Sequence, residues 1–227
     1  MLVEKYPYKK ISRESIDGER YYTCPDGTKV ASVTSILGAT KSEESKQALH
    51  NWRNRVGHRK ATEITTSAAN RGTRMHSYLE KYIVNDSLGD CGTNPYAQES
   101  WKMANEIVNT VLHKVTEFYG SEVGLYYPHI YAGTTDCIGL YEGELTIIDF
   151  KQSNKPKNEA WIDDYKCQLI AYMQSHDKLY GTNIKRGINM ICTPDLTYQQ
   201  FEINSDNYNK YEDMWWKRLE QYYGSVR

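Results

Sequence analysis

Phenylalanine is scarce, at three residues of 227 against twenty tyrosines and five tryptophans, so most of the aromatic surface carries a polar handle that tolerates half-wet positions. Long apolar runs are lacking as well. None approaches the roughly 18 residues of a membrane-spanning helix, and the opening segment from Met1 to Pro7 lacks the apolar stretch of a secretory signal. The expectation is a soluble, non-secreted, cytoplasmic protein without membrane contact. No C-x-x-C pair occurs among Cys24, Cys91, Cys137, Cys167 and Cys192, which argues against a disulfide framework and a thiolate zinc site. An excess of one charge is missing too: 28 basic and 29 acidic side chains leave a formal net charge of -1, which argues against a generic DNA coat. Internal repeats, low-complexity tracts and interdomain linkers are absent, as suits one compact unit.

The charge that is present is unevenly placed. Between Lys41 and Arg74 eight basic residues stand against three acids, a local net +5. Such a segment is either a solvated helical face or, beside a metal site, a phosphate track.

Turn chemistry at Cys24-Pro25-Asp26-Gly27 predicts a hairpin between residues 20–23 and 28–30. Ser32 or Thr34 can cap a short helix ending near Gly38, and Ser42 opens a longer one through Trp52. A helix after Arg71-Gly72-Thr73 sets His76, Leu79 and Ile83 on one stripe, turning His76 to the core side. Trp101, Ala104, Val108, Leu112, Val115 and Tyr119 recur at helical steps up to a stop at Gly120. An antiparallel meander over residues 122–130, 133–141 and 145–151 comes next, then a helix over about 159–180. Strands over 187–192 and 198–203 and a helix over 206–223 complete the chain. The core order is α-β-β-β-α-β, an α/β (α+β) fold.

Asp136 and Asp149 fall on neighbouring strands with twelve residues between them, and Lys151 shares a sheet face with Asp149 at i+2. The strand Leu145 to Lys151 drives an acid and a base into an apolar edge, where charges are costly unless paired or metal-bound. Two carboxylates and an imidazole, for which His76 is the candidate, form an oxygen-rich set that suits Mg²⁺ or Mn²⁺ better than zinc. Blander readings stand beside these. A D-x12-D-x-K string arises by chance in a chain this charged, His76 can be a satisfied core histidine, and Tyr172, one turn from Gln168, can be simple packing. Glu80 reads as a solvated or supporting acid rather than a ligand.

The runs Ala132-Gly133-Thr134-Thr135-Asp136-Cys137-Ile138-Gly139, Ile147-Ile148-Asp149-Phe150-Lys151-Gln152-Ser153 and Gln168-Leu169-Ile170-Ala171-Tyr172 together resemble the RecB-like branch of the PD-(D/E)xK nucleases. Arg71-Gly72-Thr73-Arg74-Met75-His76 resembles that branch's upstream metal-binding histidine motif. Ala31 to Leu37 and Asp149 to Lys157 are similar to the mitochondrial genome maintenance exonucleases and their phage-encoded relatives, and the resemblance spans residues 21–180. Thr135 replaces the motif's proline, and Ala31 stands where relatives often carry one. Iron-sulfur members of the branch have a C-terminal cysteine cluster, whereas here only Cys192 lies beyond Cys167, so no iron-sulfur cluster is expected.

The resemblance implies a restriction-endonuclease-like core over residues 71–227, a mixed sheet flanked by helices, with the hairpin and basic helices of residues 1–70 arching over the site. It implies a metal-dependent DNA exonuclease that hydrolyses phosphodiester bonds and prefers single-stranded DNA with free ends. A monomer is expected, cytoplasmic, or in the host cytoplasm if phage-encoded. His76, Asp136, Asp149 and the carbonyl of Phe150 would hold Mg²⁺ or Mn²⁺, and Lys151 would act with the two aspartates. Gln168, Tyr172, Ser153, Lys155, Lys157, Arg71, Arg53, Arg55, Ser32 and Thr34 would contact DNA, Glu122 would be an accessory acid, and Trp52 would stack on bases. The alternatives are a structure-specific or restriction-like endonuclease on the same core and a non-catalytic DNA-binding module.

Overall fold

Asp17 and Gly18 both adopt positive φ, as a two-residue type I′ turn requires. In the computed structural model, which describes residues 2–224, this turn joins β1 (Ser12–Ile16) to β2 (Glu19–Thr23). No strand is expected from the sequence at β1. The expected hairpin follows, with β2 antiparallel to β3 (Lys29–Ser32). Ser32 and Ser42 then cap α1 (Val33–Ala39) and α2 (Glu43–Val56), each accepting the N–H three residues on.

The next helix is longer than expected. It runs as α3 (His58–Asn85) through Arg71-Gly72-Thr73 without a break, so the boundary at residues 70/71 falls inside a 28-residue helix. Gly72 is tolerated mid-helix because α3 lies close to the sheet, where an added Cβ would sit 3.2 Å from Gln152 Cγ. No residue of α2 is buried, and in the first half of α3 only Ala61 is, so this part of the pair stands off the core.

The helix expected to reach Tyr119 ends early, as α4 (Pro95–Thr110), and Val115 and Tyr119 instead belong to a long strand, β4 (Val115–Tyr127). Register shifts between Val115 and Glu117 and between Phe118 and Gly120 mark bulges that break the plain alternation of a strand, while Val115 and Tyr119 keep the four-residue step of a helix although they pack in opposite core clusters.

The remaining elements are β5 (Tyr131–Tyr141), β6 (Glu144–Gln152), α5 (Asp163–Tyr180), β7 (Arg186–Cys192), β8 (Tyr198–Ile203) and α6 (Tyr208–Gly224). Residues 159–161, expected to open α5, form a separate 3-10 turn. The strands make one mixed sheet in the order β1-β2-β3-β5-β6-β7-β8, with β4 also paired to β5. Helices cover both faces. Trp215, Leu169 and Ile36 pack with Ile147 on the face of α1, α5 and α6, while Met75, Leu79, Met103 and Ile107 pack with Ile148 and Phe150 on the face of α3 and α4. The adjacent Ile147 and Ile148, one on each face, follow because both faces of β6 are covered. Burial of each such isoleucine contributes about 2 kcal/mol to holding β6 in place.

One edge of β5 changes partner along its length. Tyr131 and Ala132 pair in parallel with β3, whereas Cys137 to Tyr141 pair antiparallel with β6. Residues 133–136, between these ladders, lie where β3 and β6 part. Among the described residues no helix is long and apolar enough to cross a membrane.

Candidate active site

The fork along β5 opens into a cleft of about 600 Å³, lined there by Gly133, Thr134 and Asp136. Eight further elements complete its walls: β6 with Asp149 and Lys151, α3 with His76, α5 with Gln168 and Tyr172, β4 with Glu122, β3 with Ser32, α1 with Thr34, and β1 and β2 with Arg13 and Arg20. The sequence therefore scatters over some 160 positions what the fold gathers at one place.

Asp136 lies one residue before the β5–β6 ladder begins, and its Oδ2 accepts the backbone N–H of Phe150 at 2.7 Å. Its Oδ1 is 3.4 Å from His76 Nδ1. Burial favours the neutral imidazole, but the Asp136 carboxylate outweighs it and raises the His76 pKa. The same contact lowers the Asp136 pKa against burial. His76 is thus not in the core, as its stripe suggested; Met75 and Leu79 fill the core and His76 turns into the cleft at its rim.

Asp149 is buried, with its Oδ2 held at 2.5 Å from Lys151 Nζ and accepting an N–H from Asn189 at 3.1 Å. Burial opposes the charge on Lys151, and the Asp149 and Asp136 carboxylates more than restore it, raising the lysine pKa. The ammonium also lies 5.3 Å from the centre of the Tyr165 ring on α5. On the same helix Gln168 donates to the Tyr172 hydroxyl at 3.0 Å. Gly133 makes room for that tyrosine, since a Cβ there would lie 2.7 Å from the ring.

Glu122 proves closer to the centre than the sequence indicated. The register that pairs Ser121 with Cys137 and Val123 with Thr135 sets it opposite Asp136. It has φ of 50° within β4, a conformation that costs a non-glycine residue about 1 kcal/mol. Desolvation, then the facing Asp136 carboxylate, pushes its pKa up to about 7. Ligand atoms of His76, Glu122 and Asp136 all lie within 4.8 Å of one another. Opposed carboxylates repel, and a divalent cation is the natural counter-charge, so this donor set fits Mg²⁺ or Mn²⁺. Asp149 borders that trio rather than joining it.

Other expected contacts are placed differently. Ser153 is buried and donates to the Lys155 carbonyl at 2.6 Å, and the Lys157 backbone is fixed by Gln199, so both shape the loop after β6. The Arg71 guanidinium is occupied by Glu99, Gln152 and Asn154, a clamp between α3, α4 and the end of β6. Arg53 and Arg55 lie exposed on α2 and do not line the cleft; α2 packs chiefly against α3. Sequence reasoning missed Asn189, Tyr165, Arg13 and Arg20; the parallel pairing of Asp149 with Asn189 is a long-range register that no local pattern signals.

The α-β-β-β-α-β core that brings two aspartates and a lysine to the fork of a mixed sheet is the arrangement expected from the sequence's resemblance to the PD-(D/E)xK nucleases. No family model matches the chain. Its homologues include mitochondrial genome maintenance exonuclease 1 of Mus musculus, 28% identical over 206 residues, and of Homo sapiens, 27% identical over 205. Each alignment covers 85% of this chain, and the chain spans only 59% and 58% of those relatives' lengths. A crystal structure of a candidate exonuclease from Eubacterium rectale is 13% identical, with a TM-score of 0.45 over 71% of this chain and 69% of that one.

Proposed function

We propose that the protein is a metal-dependent deoxyribonuclease, an exonuclease that prefers single-stranded DNA with free ends. The observation that carries this reading is the convergence of His76, Glu122, Asp136, Asp149 and Lys151 on one open cleft. His76, Asp136 and Glu122 would hold Mg²⁺ or Mn²⁺, with Asp149 and the Phe150 carbonyl at its border. When bound, such a cation polarises a phosphodiester and lowers the pKa of bound water.

The chain's own groups do the rest. Lys151, kept charged and aimed by Asp149 and Tyr165, orients the attacking water and stabilises charge developing on the phosphate. Gln168 and Tyr172 form a fixed wall for the strand, and Thr34 offers a hydroxyl opposite, held by the buried Ser32 hydroxyl that caps α1. Lys155 and Lys157 draw the flanking backbone by charge. A cytoplasmic, monomeric protein belongs to the same proposal, in keeping with five cysteines all present as free thiols.

Digestion of end-labelled linear single strands beside covalently closed single-stranded circles, with and without Mg²⁺ or Mn²⁺, tests the reading. Metal-dependent loss of the linear strand with survival of the circle is expected. Cleavage of the circle would assign an endonuclease, and inertness of both strands in metal would leave a binding module.

A further inference from the structure

A second cavity of about 550 Å³ lies between the β1–β2 hairpin and α1. Arg13, Arg20 and Thr34 line both it and the cleft, so the two spaces adjoin across these side chains. The hairpin register pairs Arg13 with Tyr22 and Ser15 with Arg20. Arg13 and Arg20 are therefore diagonal neighbours on one face of the hairpin, about 7–8 Å apart, and Tyr22 of that face also lines the cleft.

Two like charges this close need a reason. Among the described residues neither guanidinium has a close ion-pair partner: Glu80 and Glu122 share the cleft, Glu122 attracting Arg13 only at longer range, and the hairpin's own acids are engaged elsewhere. Glu14 pairs with Lys29 at 2.8 Å, and Glu19 accepts from the hydroxyls of Tyr21 and Tyr222 at 3.2 and 3.4 Å. What remains facing the passage is a pair of planar cations that no side-chain hydrogen bond or close ion pair holds in place, the group whose donor fork matches a phosphate. The cavity has the size of a small-ligand pocket, enough for a nucleotide or two and too small for a duplex.

We infer that Arg13 and Arg20 form a phosphate-binding subsite that grips the backbone of a single strand where it passes between the cleft and the second cavity. This inference rests on the nuclease reading and adds a specific contact to it. The hairpin, which the sequence offers only as an N-terminal elaboration, becomes a wall of the substrate path.

The test is fluorescence anisotropy of a labelled single-stranded oligonucleotide in EDTA, with wild type, Arg13→Gln, Arg20→Gln, the double variant and Lys102→Gln on α4 as a remote control. Each arginine variant should bind about tenfold more weakly, as for a lost charge-assisted hydrogen bond, and its log-log salt slope should be shallower by about 0.7. Lys102→Gln should bind like wild type, and all variants should melt like wild type because these side chains are exposed. A walk of single methylphosphonate linkages should weaken wild-type binding most at one or two adjacent positions, and that penalty should vanish in the double variant. Wild-type affinity and slope in the double variant, or an equal penalty at every linkage, would overturn the subsite while leaving a cutting enzyme intact. Failure of wild type to bind or cut any DNA would remove the nuclease reading and the subsite together.

Discussion

The Asp136 carboxylate and the Phe150 backbone N–H hold β5 and β6 together at the point where their ladder stops. One oxygen does structural work across the strands, which leaves the other facing His76 in the cleft. The side chain is thereby oriented by the backbone of its neighbour before any ligand arrives.

Lys151→Ala should lower the rate of cleavage by about 10²–10³-fold, the loss typical of a single group stabilising transition-state charge, while oligonucleotide affinity in EDTA changes little. Asp149→Ala should also abolish most turnover. Single-turnover rates measured beside anisotropy separate these quantities, and wild-type turnover in both variants would remove the two residues from the chemistry.

Glu122→Gln should stabilise the metal-free protein, because it relieves the opposed carboxylates of Glu122 and Asp136, an effect of about 0.5 kcal/mol. The same variant and His76→Ala should both bind Mn²⁺ more weakly. Melting temperatures in EDTA and the rise on adding Mn²⁺ report the two effects independently of activity. Equal rises in wild type and both variants would place the cation elsewhere.

His176 sets an acid limit on stability. It is fully buried, and its Nδ1 meets Thr182 Oγ1 at 2.8 Å. Because that hydroxyl donates to Asp177 at 2.6 Å, Nδ1 carries the proton and Nε2 accepts from Tyr8 at 3.1 Å. Burial lowers the His176 pKa from 6.5 to about 4. The unfolded chain takes up the proton first, so stability is intact above pH 6.5 and is lost as pH falls towards 4, by up to about 3 kcal/mol. Chemical denaturation across this range should show a steeper acid loss for wild type than for His176→Gln; parallel curves would exclude His176 as the cause.

Gly133→Ala places a methyl 2.7 Å from the Tyr172 ring and should cost about 1–3 kcal/mol. The tyrosine must shift and its bond from Gln168 must lengthen. A urea midpoint equal to that of wild type would show that the ring has slack here.

The parts legible in the sequence were those governed by local rules. The caps at Ser32 and Ser42, the doubly buried β6 and the helix α5 follow from short patterns. Asp17-Gly18 is a strong local hairpin signal as well, and both residues adopt the positive φ it requires. Val115 and Tyr119, four apart, fit a helical stripe, and the bulges here break the alternation that would mark a strand. The register that sets Glu122 opposite Asp136 runs unbroken from the pairing of Tyr127 with Tyr131, and a cross-strand pairing of this kind is not a local pattern. Arg71 shows the converse limit: a basic residue in a recognised motif says nothing of the three neighbours that occupy it.

The fork of β5 also bears on how such a protein can change over generations. The hairpin joins the core sheet through two positions of β5, Tyr131 and Ala132, while the reacting groups sit beyond them on strands bound by longer ladders. On the proposed reading, substitutions in the hairpin should therefore retune which strands are accepted without moving the carboxylates. Variation at residues 12–23 is where altered selectivity should be sought by directed evolution, with the core sequence held constant.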